Sequence, residues 1–164
     1  MGEEWRDLSI FPSYGVSDLG NVRVLKTGLT LKRSKNQQGH LKINLTEAGH
    51  TYTRNVNHLV AKTFLDEPSR EHFDSIIHLD GDKTNCAAAN LMWRPRYYSI
   101  KYHQQFDSYN FKNSTAGVID IKTNRVYETI QEAAVEHGLL FFDILVSAHE
   151  RTFAWPTYQE FRYI

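Results

Sequence analysis

Cysteine occurs once in the 164 residues, at Cys86, so no disulfide can close within the chain and no zinc knot built on cysteines can assemble. Long apolar runs are also missing. Nothing approaches the roughly 18 consecutive apolar residues of a membrane helix, and the opening Met1–Asp7 has neither the basic stretch nor the apolar core of a secretory leader. The expectation is a protein of the cytoplasm with no membrane partner and no zinc. Net charge is lacking as well: 19 basic residues balance 19 acidic ones, which taken alone argues against a nucleic-acid partner.

The zero conceals unlike blocks. Residues 20–63 carry eight basic residues against one acidic, and residues 91–113 carry four against one. Residues 64–90 between them hold two basic and six acidic, and residues 114–164 hold four and seven. Two positive segments thus flank an acidic one, and a local patch governs phosphate binding more than the total does. Hydrophobic residues make up 41% and aromatics 13%, enough to build packed cores in one domain or two small ones.

In chain order, Trp5–Asn21 places Tyr14, Val16 and Leu19 as core contacts, with Gly20-Asn21 as a turn into a strand at Val22–Leu25. Leu29–Leu31 and Leu41-Ile43-Leu45 alternate apolar with polar, the period of half-buried strands, and Tyr52, Arg54 and Val56 continue the sheet after a turn at Glu47–His50. Between the strands runs K-R-S-K-N-Q-Q-G-H, Lys32–His40. Its side chains suit phosphates and the edges of guanine and adenine, and a two-stranded ribbon fits a major groove. Lys32, Arg33, Lys35, Asn36, Gln37, Gln38, His40, Lys42 and Arg54 are therefore the candidate DNA-facing residues. Asn57–Phe64 reads as a short amphipathic helix, and His58 on it reads as a packed histidine.

The stretch that organises the chain is Ser75–Tyr102. Ile76 and Ile77 carry a strand to His78, D-G-D at Asp80, Gly81 and Asp82 breaks it, and Leu91–Tyr102 reads as a helix folding back toward His78. Arg94, Arg96 and Lys101 alternate with Tyr97, Tyr98 and Tyr102, which makes Arg94 and Arg96 further phosphate contacts. Phe106–Ser114 lacks periodicity and reads as linker. In the tail, Val118–Tyr127 reads as a hairpin, Thr129–Gly138 as a helix ended by glycine, Phe142–His149 as a second helix and Tyr158–Ile164 as a strand.

His78, Asp80, Gly81, Asp82, Asn85, Asn90, Leu91 and Trp93 together resemble the core motif of the HNH, or ββα-metal, nucleases, and among them the homing endonucleases of phage introns. Trp5, Ile10 or Phe11, Tyr14, Val16, Ser17, Gly20 and Val22 resemble the small N-terminal motif that precedes many of these enzymes. The tail, ending Y-Q-E-F-R-Y, is similar to their C-terminal helix-turn-helix repeat. The resemblance implies an α+β fold: N-terminal antiparallel strands, a ββα-metal core over about 55–105, a linker at 106–116 and a small hairpin/helix-turn-helix module at 117–164. It implies metal-dependent hydrolysis of a DNA phosphodiester, a nick in one strand, within a bacterial host cell. His78 is then the general base, Asn90 the residue that orients it, and Mg²⁺ or Mn²⁺ the cofactor.

Two departures accompany the resemblance. The family's metal-ligand positions, just before the base and nine residues after the middle Asn, hold Ile77 and Ser99; isoleucine ligates no metal and a neutral hydroxyl is a weak ligand for a hard cation. His103, at i+4 from Ser99, and Asp80 or Asp82 are the substitute ligands on offer. The second helix of the tail, F-F-D-I-L-V-S-A-H-E, has no Lys or Arg and suits a protein partner or the chain's own interior better than DNA. The alternative to an enzyme is an HNH scaffold that binds DNA or protein and cuts nothing.

Overall fold

A computed structural model of the chain describes residues 2–68 and 70–164. Two compact units make it up, Met1–Arg96 and Tyr97–Ile164, each with its own core.

The first unit opens with β1 (Trp5–Asp7), β2 (Tyr14–Ser17) and β3 (Val22–Val24), an antiparallel sheet in that order. The turn from β2 to β3 needs Gly20: its φ is +81°, and a Cβ there would stand 2.8 Å from Cys86 Cβ. A second sheet follows, β4 (Ser34–Lys35), β5 (Leu41–Glu47) and β6 (His50–Asn55). Ala48 and Gly49, both at positive φ, make the two-residue connection between β5 and β6. β5 sends Ile43 and Leu45 into the core, whereas β6 is exposed along its whole length. The ribbon expected over 29–56 is present, with its first strand displaced: Thr30 makes only a single bridge to Arg23, and β4 forms inside the stretch read as a loop.

Helix α1 (Val56–Phe64) buries Val56, Leu59 and Val60, the i, i+3, i+4 face that its sequence dictates. β7 (Ser75–His78) then pairs antiparallel with β8 (Leu91–Arg94), in the register Ser75↔Arg94 to His78↔Leu91. This corrects the helix expected from Leu91. Pro95 bars its predecessor from helical backbone, and the apolar Leu91–Trp93 run gains a strand partner in β7, so helix α2 begins only at Arg96 and runs to Gln105. The core of the unit gathers Leu8, Phe11, Tyr14, Val16, Val22, Ile43, Leu45, Val60, Ile76 and Cys86 around α1.

In the second unit, α2 is followed by a one-turn helix α3 (Tyr109–Lys112), which carries buried Phe111 within the stretch expected to be linker. β9 (Val118–Asp120) and β10 (Arg125–Tyr127) form the expected hairpin, and with β11 (Phe153–Ala154) and β12 (Gln159–Tyr163) they build a four-stranded sheet in the order β10-β9-β12-β11. α4 (Ile130–His137) starts at a capping box: Glu132 N–H donates to Thr129 Oγ1 and Glu128 N–H donates to the Glu132 carboxylate. It stops at Gly138, left-handed as expected. α5 (Phe141–Glu150) buries Ile144, Ser147 and Ala148, which line one face, against Leu139, Ala154 and Phe161. Its apolar character thus serves chiefly the interior, although Phe142 remains exposed. The molecule is the mixed α and β structure that was expected.

Candidate active site and nucleic-acid face

His78 ends β7 and exposes none of its surface. The chain reverses immediately after it, and the polar side chains of that reversal are spent on the backbone. Gly81 N–H donates to the His78 carbonyl at 2.9 Å, and Leu79 N–H to the Asn90 carbonyl at 2.8 Å. Asn90 closes the loop: its Oδ1 accepts from Asp80 N–H at 3.0 Å, and its Nδ2 donates to Asp80 Oδ1 and to the Asn85 carbonyl, both at 2.9 Å. Asp80 Oδ1 also accepts from Asp82 N–H, and its Oδ2 accepts from Asn85 Nδ2 at 2.7 Å. Asp82 Oδ1 takes the N–H and the hydroxyl of Thr84, and these bonds hold its carboxyl below the ordinary aspartate range.

Asn90 therefore reaches His78 through the turn between them: it fixes the backbone on either side of the strand pair that carries the imidazole. The ring of His40 lies beside His78, 5.5 Å away between centroids and inclined by 37°. The sequence pointed to His40 only as part of a polar loop; nothing in the spacing from 40 to 78 signals that they meet.

The donors do not fit the divalent-metal seat that the resemblance implies. Ile77, before the base, is fully buried hydrocarbon. Asp80, offered as a substitute ligand, has both carboxylate oxygens engaged in bracing the loop. Ser99 and His103 lie on α2 in the second unit, where His103 Nδ1–H donates to the Ser99 carbonyl at 2.8 Å. Among the described residues no three His, Cys, Asp or Glu side chains are grouped to hold a metal ion.

The expected DNA face divides in two. Lys32, Lys35, Gln37, Gln38 and Arg54 are exposed, and Asn36, His40 and Lys42 are half-buried. Asn36 organises the loop: its Oδ1 accepts from Gln38 N–H and His40 N–H, and its own N–H donates to the His40 carbonyl. Lys83 Nζ ties this loop to the one after His78 by donating to the Gln38 carbonyl at 3.1 Å. Arg54 lies over the rings of Tyr52 and Phe11. Two arginines depart from the expectation. Arg33 Nη1 donates to the Gly20 carbonyl, and Arg94 is buried, its guanidinium over Phe73 and its Nη1 on the Trp93 carbonyl. Arg94 thus belongs to the interior, and Arg33 is half-buried. Arg96 is exposed at the start of α2.

His58, read as structural, lies beside Trp93 at 6.1 Å. Burial first, then Lys62, push its pKa below the ordinary value, against a smaller upward pull from Asp74.

The NUMOD4 motif model matches residues 3–46. The chain is 34% identical over 93 residues to one HNH endonuclease of Acanthamoeba polyphaga mimivirus, covering 57% of this chain and 27% of that protein. It is 35% identical over 91 residues to the DNA endonuclease I-HmuI of Bacillus phage SP01, covering 55% of this chain and 51% of the relative. The chain thus spans about half, or less, of the curated relatives that it matches. A solved structure of the HNH homing endonuclease I-HmuI, describing its DNA binding and cleavage, superposes with a TM-score of 0.55 at 26% identity and 98% coverage of both chains.

Proposed function

We propose that this chain, which belongs to the HNH homing endonuclease family, is a DNA endonuclease that hydrolyses one phosphodiester per binding event, with His78 as its general base. The observation that carries the proposal is the braced reversal from His78 to Asn90, in which Asp80, Asn85 and Asn90 hold rigid the backbone that presents the imidazole. A base works only where its geometry is fixed, and such a group contributes about 10²–10⁴-fold to rate. His78 takes a proton from the attacking water; Asn90 and Asp80 position His78; the exposed Lys32, Lys35 and Arg54 supply sequence-independent attraction to phosphate; and Gln37 and Gln38 meet base edges. A single base of this kind serves one strand, which makes the product a nick. The partner is double-stranded DNA, and the setting a bacterial host carrying a phage, as for I-HmuI of Bacillus phage SP01.

Because the donors do not make a metal seat, no step here is assigned to a metal. The same misfit, Ile77 above all, favours a second reading: an HNH scaffold kept for binding DNA without cutting it. Incubating supercoiled plasmid with the parent protein and with His78→Ala, each in Mg²⁺, Mn²⁺ or EDTA, separates the two. Relaxed circles from the parent but not from the variant are expected. No relaxed product under any condition, with labelled duplex still shifted, would leave the binding reading.

A further inference from the structure

The ring facing His78 is what the proposed chemistry otherwise lacks. Hydrolysis of a phosphodiester needs a base for the water and something to relieve the charge that grows on the leaving oxygen; neither Ile77, at a ligand position, nor Asp80, committed to its loop, supplies the second. We propose that His40 is a second catalytic residue, the acid that protonates the leaving oxygen while His78 takes the proton of the attacking water. The inference rests on the endonuclease reading above.

Three features support it. The two imidazole centroids stand 5.5 Å apart, so a phosphate held by His40 lies beside the ring of His78. His40 is half-buried where His78 is wholly covered, so His40 is the ring that a phosphate arriving from solvent meets. The loop that delivers His40 is built to hold it still: Asn36 Oδ1 accepts its N–H, Asn36 N–H donates to its carbonyl, Gly39 turns the chain at a φ of +87°, and Lys83 fastens Gln38 to the loop following His78. Lys35 and His78 both act electrostatically on Asp82, in the loop after His78, and Lys83 of the same loop bonds the Gln38 carbonyl. The same ribbon that faces DNA would thereby carry a reacting group into the site and couple binding to cleavage.

The step balances. His78 accepts a proton from water; the water oxygen bonds phosphorus; the bond from phosphorus to the leaving oxygen breaks; and protonated His40 gives its proton to that oxygen. One strand end becomes a phosphate monoester and the other a hydroxyl, His78 finishes protonated and His40 neutral, and exchange with solvent resets the pair.

The test uses a duplex carrying the position nicked in plasmid DNA, prepared both normally and with sulfur replacing the leaving oxygen, since a thiolate departs without a proton. His40→Ala and the size-conserving His40→Gln should each lose about 100-fold in single-turnover nicking of the normal duplex, and nearly all of that loss should vanish on the sulfur duplex. Equal losses on both duplexes, or none on either, would overturn the role of His40 while leaving His78 in place. A parent protein inert on both duplexes would overturn the endonuclease reading, and this inference with it.

Discussion

The two units use their polar residues in opposite ways. In the first, exposed cations gather on a ribbon with little else to bond: Lys32 and Lys35 make no ion pair among the described residues, and residues 20–63 hold a single acid. In the second, a buried carboxylate anchors a polar network. Asp120, fully buried, accepts from Lys122 N–H, Thr123 Oγ1 and Gln159 Nε2 and stands 3.7 Å from His137 Nε2. His137 also meets the Tyr127 hydroxyl and Gln159, and Tyr127 donates to Glu136, which pairs with Arg125. Arg162 pairs with Glu160. One unit holds charge ready for a partner; in the other, Asp120–His137 and Arg125–Glu136 tie the sheet to α4. A helix-turn-helix outline therefore does not by itself make a DNA reader, and α5, without a single Lys or Arg, lacks the charge for the task.

The largest expected effect is on the first unit's chemistry. His78→Ala should lower nicking by at least about 100-fold and leave duplex affinity intact, as measured by plasmid relaxation and gel shift. Next comes the second unit's core: Ile144→Ala should cost about 2–5 kcal/mol of stability in urea unfolding, because Ile144 is wholly buried between α5 and the sheet. Charge removal then separates the units directly. Lys35→Ala should reduce the slope of log affinity against log salt by about one, whereas Arg162→Ala, whose guanidinium is already paired with Glu160, should leave that slope unchanged.

The smallest effect is a pH dependence. His58 is held neutral in the fold by burial, so the unfolded chain binds its proton first. Stability from this residue is complete above its ordinary value of 6.5 and is lost as pH falls from there through the lowered folded value. His58→Gln should flatten that part of the melting-temperature profile between pH 7 and 5; an unchanged profile would remove His58 as its source.

Much of this was legible in the sequence where local chemistry decides structure. The reversal after His78 was readable from D-G-D, the end of α4 from Gly138, and the inward face of β5 from its alternation. What escaped depended on pairing across distance. Leu91–Arg94 became a strand because β7 lay beside it; Arg33 and Arg94, expected among the DNA-facing residues, bond a carbonyl and lie over a phenyl ring elsewhere in the chain; and His40 met His78 through the docking of one loop on another, which no spacing records. Conversely, the chemistry of Ile77 is legible in any fold, because a hydrocarbon side chain carries no donor atom.

Hydrogen exchange of the full chain, free and bound to duplex DNA, tests most directly the claim that nucleic-acid work resides in the first unit. Slowed exchange over Lys32–Arg54 and around His78–Asn90, with none gained along α5, is the expected result. Protection centred on α5 with the ribbon unchanged would contradict it.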